Sequence, residues 1–504
     1  MHVELVAKKT AGGRLARRVL AGAAMVLLLS WPAFAADFDF TPPLQRAYQD
    51  LFSLKVGAGR RAIGPELARR NGIAVYLDNF GDMLTLLTSD DRTLYKTLEK
   101  RQEQRLELLD DLDENSPWQR FAQAEVRLHW AFVKLKFGHE VSACWDIIRA
   151  YRLLEDNRKR FPDFLPTRKS LGVLHVLIGS VPNNYTWAIK MMGLKGSVQQ
   201  GMQEIGEVSR KEALFGTEAR LIDLLLRGHV LTFTPEDAAR TRQLVRDHPD
   251  NLMISLFAAS LLMKDARSEE AQALLLERPK GPEYLPYPFI EYQLGEIQLQ
   301  KGNYPQALGH YRAFLGQYKG VNFRKDTYYR QFLCFWLTGQ EAQAVPLLQQ
   351  AQKTGTTSVE ADKAAQKFAD AFFRKGISPR QKILLKARFA TDGGYLDSAR
   401  NTLRPFSEKD FPLTPEKAEF QYRQGRIFQR RGEPLAAIPH FERAIALSEA
   451  DQLSFGATSA LQLGYIYKQQ NKPAQARQYF QKALSYEKHE YKNSVDNKAR
   501  AGLQ

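Results

Sequence analysis

The feature that most constrains this chain is a spacing. Three times in its second half a glycine is followed twelve residues later by an alanine: Gly295 and Ala307, Gly425 and Ala437, Gly464 and Ala476. Each pair keeps similar company: Leu294, Gly302, Tyr304 and Tyr311; Phe428, Gly432, Phe441 and Ala444; Leu463, Tyr467, Phe480 and Ala483. Two antiparallel helices of equal length explain the recurrence. Small residues fall where the helices approach, and an aromatic fills the gap to the next pair. The units cover about 288–321, 418–451 and 457–490.

The rest of the chain is helical in pattern. Phe121, Ala124, Leu128, Ala131, Phe132 and Leu135 recur at helical spacing and predict one buried stripe. No sustained alternation of β-branched residues is present, so no sheet is expected. Helix starts are written with a hydroxyl cap and a proline behind it: Ser116-Pro117, Thr234-Pro235 and Thr414-Pro415. Further helices are predicted at about 43–63, 66–87, 91–112, 117–136, 140–160 and 168–179. Degenerate helix pairs are read at Tyr329 to Leu348 and Leu384 to Arg400, a packed turn at Phe161 to Pro166, and a Pro/Asn turn at Val181 to Trp187. The fold expected is all-α, an α-α superhelix of antiparallel helix pairs. It divides into a leader at 1–35, a repeat-like region at 36–215, a superhelix at 216–490 and a capping helix at 491–504.

The leader is read as an export signal. Lys8, Lys9, Arg14, Arg17 and Arg18 precede the apolar run Val19 to Leu29, and Ala33-Phe34-Ala35 forms a small-x-small cleavage site. The run is about half of the ~20 residues that span a bilayer. No cysteine follows the site, so no lipid anchor is expected, and no transmembrane segment is expected after it. The mature chain is then periplasmic or secreted. The formal net charge of +16 falls to about +12 once the leader's five Lys/Arg and one Glu are removed. Such a balance favours anionic partners. Nucleic acid is not expected, because the basic residues are scattered and the chain is read as exported. Cys144 and Cys334 both lie in apolar helical segments and read as buried free thiols.

The three units resemble tetratricopeptide repeats, helix pairs of about 34 residues, although none has the tryptophan often found early in the unit or a proline near its end. Ser116-Pro117, Ile178-Gly179-Ser180-Val181-Pro182, Gly193-Leu194-Lys195-Gly196-Ser197 and the ending Glu490-Tyr491-Lys492-Asn493-Ser494 resemble secreted bacterial helical-repeat proteins. The segment from Gly193 to Gly201 is similar to one in the eukaryotic tetratricopeptide repeat protein 39 family. The resemblance implies a superhelix with a binding role and carries no catalytic residues over. It also implies that the first helix of each pair lines a concave surface. Phe289, Tyr292 and Glu296 would then face inward in the first unit, Tyr422, Arg426 and Arg430 in the second, and Leu461, Tyr465 and Lys468 in the third.

Tyr292, Tyr422, Arg426, Arg430, Tyr465 and Lys468 are therefore the candidate partner-binding residues. Arg426 and Arg430 are four apart and share a helix face. With Lys468 they form a candidate grip for a carboxylate. The plainer reading makes Arg423, Arg426, Arg430 and Arg431 a solvated basic face. No cofactor or metal site is read. No histidine pair has the spacing of a helical zinc site, and Asp110-Asp111-Leu112-Asp113-Glu114 lacks the alternating ligands of a calcium loop. Gly196-Ser197 lacks the lysine of a phosphate loop. No Gly-x-Ser-x-Gly occurs, and Glu125 and Asp146 read as ordinary helix carboxylates. The function expected is a non-enzymatic scaffold or adaptor that holds a protein or peptide, with acidic character favoured. The alternatives are an envelope factor that contacts peptidoglycan or lipid head groups, and a helical-fold hydrolase.

Overall fold

In the computed structural model, which describes residues 37–181, 189, 191–489 and 491–503, the recurrent glycines lie directly under aromatic rings. A Cβ on Gly295 would meet the Tyr311 ring at 2.7 Å, one on Gly425 the Phe441 ring at 2.7 Å, and one on Gly464 the Phe480 ring at 2.4 Å. The glycine is on the first helix of a pair and the ring on the second. The pairs are Phe289–Lys301 with Tyr304–Gln317, Thr414–Arg430 with Pro434–Ser448, and Ser454–Gln469 with Pro473–Leu484. Ala307, Ala437 and Ala476 are buried at the same crossings. The turn between helices needs a left-handed residue, supplied by Gly302 (φ 87°) and Gly432 (φ 79°), and in the third pair by Asn471 (φ 55°).

Every regular element among the described residues is helical, and the pairs stack into an all-α superhelix. Its core is handed from pair to pair. Helix Phe289–Lys301 places Ile290, Leu294 and Ile297 in the core of the preceding helices, and Tyr292 and Leu299 in the core of the following ones. Helix Thr414–Arg430 does the same, with Phe420 and Ile427 on one side and Tyr422 and Phe428 on the other. Neighbour-to-neighbour burial of this kind is what makes a solenoid. In the first half a continuous apolar core runs from Leu44 to Ile297. The leader at 1–35 and most of the turn at 181–187 lie outside the described residues.

Several expectations need correction. The helix read at 43–63 is two, Pro42–Phe52 and Val56–Ala68, because Leu54 turns left-handed at φ 65°. The span 91–112 divides into Arg92–Leu98 and Arg101–Asp110. Ser116 caps its helix by accepting from the Trp118 N–H, and Thr234 forms a reciprocal box with Asp237, but Thr414 is itself the first helical residue and caps nothing. The stripe on Pro117–Phe137 is buried only as far as Ala131. Phe132 and Leu135 are exposed, while Trp130, Val133 and Phe137 are buried. Helices Gly72–Ser89 and Glu140–Arg160 cover this helix from different sides, so a single periodic face does not describe it. Cys334 is buried, and burial pushes its thiol up to about 12, whereas Cys144 is exposed on Glu140–Arg160.

The superhelix also returns on itself. Arg430 Nη1 donates to the Asp265 carbonyl at 2.8 Å, the hydroxyls of Thr232 and Tyr465 lie 3.3 Å apart, and Asn497 Nδ2 donates to the Ser180 carbonyl at 2.9 Å. The last helix pairs thus touch elements far earlier in sequence, and the space between them becomes a cavity.

Because the Phe441 ring is fully buried and cannot swing away, Gly425→Ala should cost about 1–3 kcal/mol. Gly309, on the exposed side of Tyr304–Gln317, has nothing within 4 Å. There Gly309→Ala should stabilise by about 0.5–1 kcal/mol. Urea denaturation midpoints of the two variants should move in opposite directions; equal shifts would show that the ring contact does not hold the pair together.

Candidate functional site

Two adjoining cavities occupy the inner side of the last repeats. The larger, of about 630 Å³, is lined by Lys264 at the end of helix Leu252–Lys264, by Arg426 and Arg430, by Tyr465 and Lys468, and by Lys498 on helix Lys492–Leu503. The second, of about 480 Å³, is lined by Tyr422, Arg423, Glu419, Arg388 and Asp392 among others. Arg426, Leu461, Gln462 and Lys498 border both, so the cavities form one trough along two successive first helices. The helical period puts Arg426 one turn from Tyr422 and from Arg430 on the same face, and Leu461, Tyr465 and Lys468 on the facing side of the next helix.

Three of the cations of the larger cavity, Arg426, Arg430 and Lys468, donate to neutral oxygens. Arg426 Nη1 donates to Gln429 Oε1 at 2.6 Å and to Gln462 Oε1 at 2.7 Å. Arg430 uses the Asp265 carbonyl, and Lys468 Nζ donates to the Gly502 carbonyl at 3.2 Å. The Asp265 carboxylate pairs instead with Arg267 at 2.9 Å. Among the described residues, none of Lys264, Arg426, Arg430, Lys468 and Lys498 has a carboxylate within ion-pairing distance. The cost shows in their proton affinities. Burial, and then the charge of Arg426, pull Arg430 down to about 10. Burial and then Lys498 hold Lys264 at about 8, although its side chain reaches solvent, and burial with Arg426 lowers Lys498. Burial raises Tyr465. Beside Tyr422 the second cavity is more balanced: Arg423 is buried against Glu419 at 3.0 Å, and Arg388 lies 3.5 Å from Asp392.

Five of the six candidate residues therefore line the trough: Tyr422, Arg426, Arg430, Tyr465 and Lys468. Tyr292 does not. It is buried, its ring packs on Phe289, Phe314 and Phe323, and its hydroxyl donates to Asp326. Phe289 and Glu296 are occupied as well, Glu296 by Arg330 at 3.1 Å and by the Tyr311 hydroxyl. Helix Arg324–Trp336 packs straight onto this unit and takes up the face that the family geometry would leave open. The four arginines are not one solvated face: Arg423 is buried, Arg431 pairs with Asp397 and Glu433, and Arg426 and Arg430 enter the cavity. Lys264, Gln462 and Lys498 were missed. Lys264 ends an almost wholly apolar helix, and Lys498 lies on the polar capping helix; only the return of the superhelix brings them to the arginines.

Elsewhere the notable polar groups serve packing. Glu125 pairs with Lys169 at 3.2 Å, and Asp146 pairs with Lys134 at 2.6 Å and Arg127 at 3.5 Å. Burial opposes the charge on Lys169, but Glu125 and Glu218 outweigh it and raise its pKa. His129 lies 3.0 Å from Asn79, and burial followed by Lys169 lowers it to about 3. Among the described residues no three His, Cys, Asp or Glu side chains are grouped to hold a metal, and no helix is long and apolar enough to cross a membrane.

Residues 416–486, which include both first helices of the trough, match the family model described as tetratricopeptide repeat. No curated protein matches the chain. Solved structures similar to it include the human IFIT1 dimer with m7Gppp-AAAA, at 13% identity over 81% of this chain and 89% of that one, with a TM-score of 0.34. The APC/C hetero-tetramer Cut9–Hcn1 matches at 13% identity over 91% and 95%, with a TM-score of 0.23. Yeast Tom70 matches at 12% identity over 90% and 87%, with a TM-score of 0.24.

The charge crowding in the larger cavity has a direct readout. Lys264, followed by NMR of its ammonium group, should titrate near 8, and Lys498→Met should move its midpoint upward. A midpoint at the ordinary lysine value in the parent chain would show that the cluster is not assembled in solution.

Proposed function

We propose that this chain is an exported helical-repeat scaffold that holds an acidic polypeptide segment in the trough between the Thr414–Arg430 and Ser454–Gln469 helices. The observation that carries this reading is the joining of the two cavities through Arg426, Leu461, Gln462 and Lys498. A trough that continues past one pocket suits a chain segment better than a compact ligand. Tyr422, in the second cavity, supplies flat contact area at low entropic cost, as binding surfaces use tyrosine. Arg426 offers its guanidinium to a passing carboxylate, and the cations beyond it favour acidic over basic segments. The envelope-surface reading has less support, because these cations converge on one concave space rather than spreading over an outer face. Export rests on the leader at 1–35.

Fluorescence anisotropy with labelled acidic peptides tests the binding. Acidic peptides should bind and basic ones should not. Arg426→Glu should weaken binding at least about tenfold, Tyr422→Ala should weaken it less, and both variants should keep the parent's helical circular dichroism. Equal affinity for acidic and basic peptides, or no effect of Arg426→Glu, would refute the reading. For export, the chain expressed in a Gram-negative host should appear in the periplasmic fraction with a mass that lacks residues 1–35; a full-length cytoplasmic product would refute it.

A further inference from the structure

The larger cavity of the trough carries more positive charge than a passing peptide needs. Lys264, Arg426, Arg430, Lys468 and Lys498 come from four helices and converge on one space of about 630 Å³. Like charges gathered without counter-charge repel one another, and a cavity that served packing alone would be lined by apolar groups. Arg426 and Arg430 each commit Nη1 to a neutral oxygen. Their remaining guanidinium nitrogens make no hydrogen bond to the protein among the described residues. Two forks are thus held in place by Gln429, Gln462 and the Asp265 carbonyl, with donors left over. The rest of the wall includes Leu231, Phe233, Leu261 and Leu461, so the cavity offers apolar surface to the body of a ligand as well as cations to its head. The volume lies within the roughly 300–1,000 Å³ of small-molecule sites.

We propose that this cavity is a binding site for a small organic anion that bears phosphoryl groups. A single carboxylate brings one negative charge and answers one fork. A phosphoryl group brings nearly two and presents three acceptor oxygens in a tetrahedral array, which cations arriving from several helices reach together. Arginine forks match that geometry, and the lysines add charge from the other walls. The site goes beyond the polypeptide reading and does not need it: Tyr422 and the Arg423–Glu419 pair lie outside the larger cavity.

Calorimetry of the full chain with inorganic pyrophosphate tests the proposal, with hexaglutamate and phosphatidic acid vesicles as parallel arms. Pyrophosphate should bind one to one and raise the melting temperature. Lys264→Met and Arg430→Gln should each weaken it at least about tenfold, and Arg443→Gln, at an exposed pair with Glu408, should leave it unchanged. Lys264→Met alters only the solvent-reaching end of a helix, so it keeps the test valid if Arg430→Gln fails to fold. Vesicle binding that is lost in the same variants would assign the phosphate to a lipid head group; pyrophosphate binding without vesicle binding would assign it to a soluble ligand. No pyrophosphate binding at millimolar concentration, or equal binding by Lys264→Met and the parent, overturns the proposal. Hexaglutamate binding without pyrophosphate binding also overturns it while leaving the polypeptide reading standing, and the reverse outcome separates the two the other way.

Discussion

An aromatic ring resting on a glycine across a helix crossing sets the geometry of the last repeats. In each of the three clear units the ring is on the second helix, sixteen residues after the glycine, and no side chain separates it from the first helix's backbone. Burying such a ring contributes on the order of 2–3 kcal/mol, and the contact also fixes how closely and at what height the helices cross. Alanines twelve residues after the glycines close the same crossing. The orientation of each first helix, and hence which of its residues face the interior, follows from this contact. Tyr422, Arg426 and Arg430 face the trough because Gly425 faces Phe441.

The first half is held differently. Buried ion pairs tie its helices together: Lys169 reaches Glu125 and Glu218, and Arg105 reaches Asp78 and Asp82. Each of these buried cations faces two carboxylates, which offset the cost of burying its charge. The larger cavity is the opposite case. Its cations have no carboxylate partner among the described residues, and the contacts Thr232–Tyr465 and Arg430–Asp265, which return the chain on itself, join residues of its own wall. An arrangement that costs stability and sits in a concave space is the usual mark of a ligand site.

The repeat signature made the fold legible, because the close crossings require small residues at fixed spacing and that requirement is written locally. The trough was legible on the two helices whose units are regular, and Arg426, Arg430, Tyr465 and Lys468 fell where the spacing put them. Tyr292 fell in the core because its neighbouring helix covers the face, a fact about unit-to-unit packing that the unit's own residues do not encode. Lys264 and Lys498 could not be read, since their place depends on the superhelix closing over a long sequence separation. In the first half, Phe132 and Leu135 misled for a related reason: a helix packed on more than one side has no single buried stripe.

The return of the superhelix is the claim on which the site depends, and chemical cross-linking measures it most directly. In a chain with Cys144→Ser and Cys334→Ala, Thr232→Cys and Tyr465→Cys would be treated with a short bismaleimide and the product analysed by mass spectrometry. The structure predicts an intramolecular bridge between the two positions in dilute solution, formed in high yield. Labelling of both cysteines without a bridge would show that the last repeats do not meet the Thr232 turn, and that the walls of the cavity do not come together.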